Sequence, residues 1–182
     1  MEIICIFEKR HCEDALWAIK FHENMPDEFN RLFGLWNDHE YVSAFCEAHE
    51  DKLQSVFGQG VTVNDAVDEI IDEAVLLERQ LYYFFRYKKL QEIFRPLHNN
   101  VYMLHALQQS KAAPILKKRS PALRIYALRM SANTFIITGG AIKMTRTMWE
   151  MEHLQKELRK LNMAVTWLKE NGLHSSESLN DF

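Results

Sequence analysis

The 182-residue sequence predicts an α+β protein. Two observations carry this. Short β-branched and aromatic runs occur in pairs, at 2–8 with 15–21 and again within 122–138, and each pair reads as a β-hairpin. Long stretches between and after them repeat apolar residues at helical spacing. The hydrophobic fraction is 47% and aromatics are 12%, enough to build a core and incompatible with global disorder.

The elements follow in order. EIICIFE and ALWAIKF are the first two strands, separated by the polar segment Lys9–Asp14. Pro26 opens a helix in which Phe29, Leu32, Phe33 and Trp36 share a face, with Asp27 and Glu28 placed to favour the helix dipole. One helix is expected over Asp38–Val56, burying Tyr41, Val42, Phe45 and Leu53, and Gly58-Gln59-Gly60 ends it. Thr62 and Asp65 form an N-cap signal. The helix that follows is the clearest in the chain. Val67, Ile70, Ile71, Ala74, Leu77, Leu81, Phe84 and Phe85 lie on one stripe, with Asp68, Glu69, Asp72, Glu73 and Glu78 mostly elsewhere.

Residues 88–121 hold Pro96, Pro114 and Pro121 and are expected as a short helix, then mostly loop and extended chain. In ALRIYALRMSANTFIIT, Ser131-Ala132-Asn133 is the turn of a second hairpin. Period two puts Leu123, Ile125 and Ala127 on one face and Arg124, Tyr126 and Leu128 on the other. Gly139-Gly140 marks a bend or bulge. Thr147 with Glu150 is a capping box for a last helix running to about Glu170. Its Met151, Leu154, Leu158, Leu161, Val165 and Leu168 form a narrow seam that calls for a partner. Asn171-Gly172 stops it, and the tail HSSESLNDF is expected to be mobile.

Charge is sorted by position. Residues 1–84 carry 6 Lys/Arg against 18 Asp/Glu, a net of −12, whereas residues 85–182 carry 16 against 7, a net of +9. Within 85–149 there are 12 basic residues and one acid, Glu92. A stretch so poor in carboxylates suits an anion-binding surface, or one that docks on the acidic half of the same chain. Other classes drop out. Cys5, Cys12 and Cys46 form no CxxC and do not suit a disulfide scaffold, which fits a reducing cytoplasm. No signal peptide and no membrane-length apolar run are present. Cys46 and His49 make half a metal site at best, there is no GxSxG, and Thr138–Lys143 is not a phosphate-binding loop. No metal or other cofactor is expected.

What remains is Arg124, Tyr126, Arg129, Lys143 and Arg146 around the second hairpin, near Lys117, Lys118 and Arg119. RNA cleavage without a metal needs a base for the 2′-OH, positive charge for the phosphorus-centred transition state and a proton for the leaving 5′-oxygen. Clustered cations supply the second, and a lysine among them has its pKa pushed toward the useful range. Tyr126 would stack on a base or assist a proton transfer. The bland alternative is that Tyr126 packs in the core.

The segment Leu123–Gly172 resembles the toxin core of the RelE/ParE superfamily, nearest its HigB-like, phage-Gp49-like branch. The likeness covers about 50 residues: an Arg-bearing strand, a turn, an apolar strand, a Gly-plus-Lys exit and a charged helix. It implies a small twisted antiparallel sheet packed by helices, here with an added N-terminal helical region. It also implies ribosome-dependent mRNA cleavage, and so a block of translation, as for most RelE and HigB members, or gyrase inhibition as for ParE members, and an antitoxin protein as partner. Arg124 then matches the strand arginine and Lys143 the strand-exit lysine, with Arg146 as a further basic residue. Adding Tyr126 from the reading of the hairpin gives a candidate catalytic set of Arg124, Tyr126, Lys143 and Arg146, and the basic stretch itself gives Lys117, Lys118, Arg119 and Arg129 as the candidate RNA-binding set. The chain departs from the pattern in three respects. Met144 follows Lys143 where the family often has a second lysine, an acidic helical stretch is added, and no basic final strand follows the last helix.

The whole chain is expected to be one compact unit, with 1–87 contributing a hairpin and acidic helices and 88–182 the basic core. The −12/+9 split suggests that helices of 26–87 shield the basic sheet. Two other readings stand beside the toxin. One is a catalytically silent protein of the same fold that binds a protein partner, or pairs as a homodimer, through the 151–168 seam or the acidic helices. The other is an unrelated α+β domain with a structural role.

Overall fold

A computed structural model describes residues 1–8, 14–98, 105–117, 119–144 and 152–179. The chain is α+β, with a six-stranded mixed sheet and six helices among the described residues. The strands are β1 (Glu2–Glu8), β2 (Ala15–Lys20), β3 (Arg95–Pro96), β4 (Gln108–Ala112), β5 (Leu123–Arg129) and β6 (Thr134–Ile142), in spatial order β1-β2-β6-β5-β4-β3. The helices are α1 (Glu28–Trp36), α2 (His39–Ala48), α3 (Glu50–Phe57), α4 (Val63–Arg86), α5 (Leu90–Ile93) and α6 (Glu152–Glu170). None of them is long and apolar enough to cross a membrane.

Both expected hairpins form, β1 with β2 and β5 with β6. The sheet is not antiparallel throughout: β2 and β6 pair in parallel, Ala15 beside Thr134 through Ala18 beside Ile137. A parallel pair needs a long crossover, and all of α1–α5 and β3–β5 lies between these two strands. β2 and β6 are both interior strands of the sheet. Each is therefore covered on both faces, and every residue of β6 is buried.

Gly139 and Gly140 show what covers β6. A Cβ on Gly139 would meet Glu157 and Lys160 of α6, and one on Gly140 would meet Leu32 and Trp36 of α1. Successive strand residues point to opposite faces, so α1 and α6 sandwich the sheet here. The expected irregularity is a bulge just before them: Tyr126 pairs with Gly139 and Ala127 with Ile137, leaving Thr138 unmatched. A Cβ on Gly140 would also stand 2.6 Å from the Arg124 backbone oxygen, which cannot swing away as a side chain can. Gly140→Ala is therefore expected to destabilise the fold by about 1–3 kcal/mol, the usual cost of overpacking. A urea midpoint unchanged from that of the native chain would contradict this.

The Thr62–Asp65 cap forms as read from the sequence, and α1 and α2 add aspartate caps that the sequence reading did not single out. Asp27 caps α1, and Asp38 caps α2 with its carboxylate accepting from the Glu40 and Tyr41 amides. Thr62 and Asp65 make the reciprocal capping box of α4. The Thr62 hydroxyl and the Thr62 amide both donate to the Asp65 carboxylate and hold its pKa below the ordinary value. Val67, Ile70, Ala74, Leu77, Leu81 and Phe85 of α4 are buried in one core cluster with β2, β5, β6 and α6.

Four expectations need correction. The helix expected over 38–56 is two, with His49 (φ −128°) ending α2 and starting α3. Within it Tyr41 is exposed, Phe45 is half-buried, and only Val42 and Leu53 of the four named residues are buried. The seam of α6 has its partner within the chain, since Leu154, Leu161 and Leu168 are fully buried and α6 packs on β5 and β6. The tail is not loose as far as Leu179: it closes in a 3₁₀ turn, and Leu173 and Leu179 join the core. Thr147, Glu150 and Met151 lie outside the described residues, as do Lys9–Glu13.

Candidate functional site

The register of the second hairpin places the candidate site. Leu123 pairs with Ile142 and Arg124 with Ala141, so Arg124 and the residue after β6, Lys143, fall at the same end of the sheet. The Lys143 amide donates to the Ala122 carbonyl at 2.8 Å and fixes the strand exit against the loop before β5. Arg124 and Lys143 line one cleft of about 380 Å³ with Ser55, Val56, Ser120 and Met144. Two residues separated by 18 others in the chain thus meet over one cavity.

Arg124 is half-buried and held in place. Its Nη1 donates to the carbonyls of Pro121 at 2.6 Å and Leu123 at 2.7 Å. Burial lowers its pKa, and the neighbouring Tyr126 and Glu73 oppose that. It also lines a second cleft of about 310 Å³, with Arg95, Lys111 and Glu92. Lys111 Nζ donates to the Leu97 carbonyl at 2.9 Å. Burial lowers the Lys111 pKa, and the charge of Arg124 adds to this. Four cations, Arg95, Lys111, Arg124 and Lys143, thus line two clefts that share Arg124. A phosphate is the ligand chemistry such a set favours.

The other expected residues fare differently. Tyr126 is 1% exposed and lies on the face covered by α6, opposite Gly139. Burial pushes its hydroxyl pKa up to about 12. It is core, and it does not line either cleft. Arg129 pairs with Phe135 at the far end of the hairpin, away from Lys143. Burial lowers its pKa, and its Nε is enclosed with no hydrogen-bond partner among the described residues. Arg119 is spent on the acidic helix. It pairs with Glu69 and with Glu73, the latter at 2.5 Å, and lies 4.7 Å over the Phe57 ring. Lys117 is exposed beside it. Lys118 and Arg146 lie outside the described residues.

The expected shield is therefore differently placed. Carboxylates of α4 grip the loop before β5 rather than the Arg124/Tyr126 face of the hairpin. Glu73, 2% exposed, accepts from the Ala122 amide at 2.9 Å and the Leu123 amide at 2.9 Å. Over the Tyr126 face lies α6.

Sequence reasoning missed Lys111 and Arg95. β4 reads QQSKA, with no β-branched or aromatic residue to announce a strand, and only its pairing with β5 turns Lys111 toward Arg124. No three His, Cys, Asp or Glu side chains among the described residues gather as metal ligands. Cys46 is fully buried, with burial pushing its thiol pKa up to about 11, and the His49 ring stacks on Phe45. No family model, no curated protein and no solved structure matches the chain.

Proposed function

We propose that this chain is a RelE/HigB-like, toxin-type protein that binds mRNA through the Arg124–Lys143 cleft and blocks translation. The observation that carries the reading is the convergence of those two residues on one cavity. They are two of the three positions, with Arg146, that the likeness of Leu123–Gly172 to the toxin core marks as functional. Two fixed cations at a phosphate stabilise the charge that develops during phosphoryl transfer. Cleavage would also need a proton acceptor. Lys111, in the adjoining cleft that shares Arg124, is the candidate we name for it, and burial lowers its pKa.

A second reading has its own support. Tyr126 is in the core and Arg119 is held by Glu69 and Glu73, so part of the expected machinery serves stability. That favours a silent protein of the same fold acting as a binding module.

Induced expression separates the two. The native chain is expected to arrest growth and translation, and Lys143→Gln to abolish the arrest while melting at the native temperature. In binding assays with short RNA, each lost phosphate contact lowers the slope of log affinity against log salt by about 0.7. Lys143→Gln is the cleaner variant, because Arg124 also holds the Pro121 and Leu123 carbonyls. A native chain that leaves growth and translation untouched sinks the toxin reading and leaves the binding module.

A further inference from the structure

The long helix α4 changes character along its length. From Leu53 to Glu78 the chain has six carboxylates and no Lys or Arg. From Arg79 to Gln91 it has Arg79, Arg86, Lys88 and Lys89 and no carboxylate. The acidic end is engaged, since Glu69 and Glu73 hold the loop before β5. The basic end is a surface. Its inward positions Leu77, Leu81 and Phe85 are already buried, so the residues facing out are not core in waiting.

What faces out is aromatic. Tyr82, Tyr83 and Tyr87 are 48%, 54% and 57% exposed, three of the eight large exposed hydrophobic residues among those described. Tyr83 and Tyr87 sit one turn apart with ring centroids 4.7 Å from each other. Arg79 and Arg86 are exposed four residues before and three residues after Tyr83, hence on its side of the helix. Lys88 and Lys89 continue the positive charge; they pair with Asp14 and Glu92 yet keep 60% and 53% of their side chains exposed. Between Arg79 and Tyr87 the one Leu, Ile or Val is Leu81, which points inward and is buried.

We infer that this face, Arg79, Tyr82, Tyr83, Arg86 and Tyr87, is a stacking surface for unpaired RNA bases. Tyrosine rings stack on any base, and arginines beside them attract the phosphates between bases. A purely solvated helix end would not expose three tyrosines in six positions. The surface lies on the added N-terminal region, outside the segment that resembles the toxin core. The choice of RNA rests on the function proposed above, but the surface is separate from the Arg124–Lys143 cleft.

The test uses the full chain and a fluorescein-labelled 12-nucleotide oligo(U) RNA, read by anisotropy, with oligo(dT) and a 12-base-pair RNA duplex as comparisons. Tyr83→Ala/Tyr87→Ala is expected to weaken oligo(U) binding about tenfold or more, and to leave duplex binding unchanged. Tyr83→Phe/Tyr87→Phe keeps the rings and is expected to bind as the native chain does. Arg79→Gln/Arg86→Gln lowers the salt slope. Tyr82 is left intact because it packs edge-on against Phe7. If the alanine pair binds oligo(U) with native affinity while Lys143→Gln loses it, the face is not an RNA surface and the cleft reading survives. Tighter binding of oligo(dT) than oligo(U) overturns the choice of RNA. A native chain that binds none of the three probes overturns both readings.

Discussion

Glu73→Ala is expected to lower the unfolding free energy by about 3–5 kcal/mol, the cost of stripping one partner from a buried charged cluster. The Glu73 carboxylate is 2% exposed and accepts hydrogen bonds from the amides of Ala122 and Leu123. It also pairs with Arg119 at 2.5 Å. Alanine would leave two buried amides and a largely buried guanidinium without that partner, at the start of the strand that carries Arg124. The control is one helical turn away. Glu69 pairs with the same Arg119 but is 52% exposed, so Glu69→Gln should cost no more than about 1 kcal/mol. Urea unfolding of the two variants decides the matter: equal shifts in midpoint would mean that burial of Glu73 carries no special weight. Glu73→Gln, which keeps the shape and can still accept hydrogen bonds, should fall between them.

Glu73 also shows what the sequence held in plain view. It stands three residues after Ile70 and four before Leu77, on the apolar stripe of α4 rather than beside it. A carboxylate on a buried stripe announces a buried cation or backbone donors elsewhere in the chain. Its partners, 46 to 50 residues further on, were not legible. Local signals served well where the structure is local: the Thr62–Asp65 capping box, the turn at 131–133 and the Gly172 stop (φ 73°) all form as read. They failed where a partner decides. β4 is a strand because β3 and β5 flank it, not because QQSKA favours one. Tyr126 could be read from the sequence either as a site residue beside Arg124 or as core, and only α6 closing over that face makes it core. Of the candidate site, Arg124 and Lys143 were legible and Lys111 was not, because only the pairing of β4 with β5 brings Lys111 beside Arg124.

The same dependence on distant partners sets the second large effect. Lys160→Met is expected to cost about 2–3 kcal/mol, less than a fully buried pair because 22% of the lysine side chain meets solvent. Lys160 Nζ lies 2.6 Å from Glu28 and 3.1 Å from Glu157. Arg31 reaches the same two carboxylates at 2.7 and 3.8 Å. Glu157 in turn accepts from the Gly140 amide at 3.0 Å, beyond the four-residue stretch where β2 pairs with β6. Without Lys160, two enclosed carboxylates share one cation. The pH dependence gives the signature. Burial already raises the Glu157 pKa, and Lys160 is the main influence lowering it. A carboxyl whose pKa is higher folded than unfolded binds more protons in the folded chain. Its contribution is then fully present below the unfolded pKa of about 4.3 and is lost as pH rises through the folded value. Removing Lys160 moves that folded value further up. The stability gap between the native chain and Lys160→Met should therefore widen as pH rises above the ordinary carboxylate range. Adding Glu157→Gln should remove most of that pH dependence. A gap that stays constant from acid to neutral pH would show that Lys160 acts through its packing over Phe21, 5.2 Å from the ring centroid, and not through its charge.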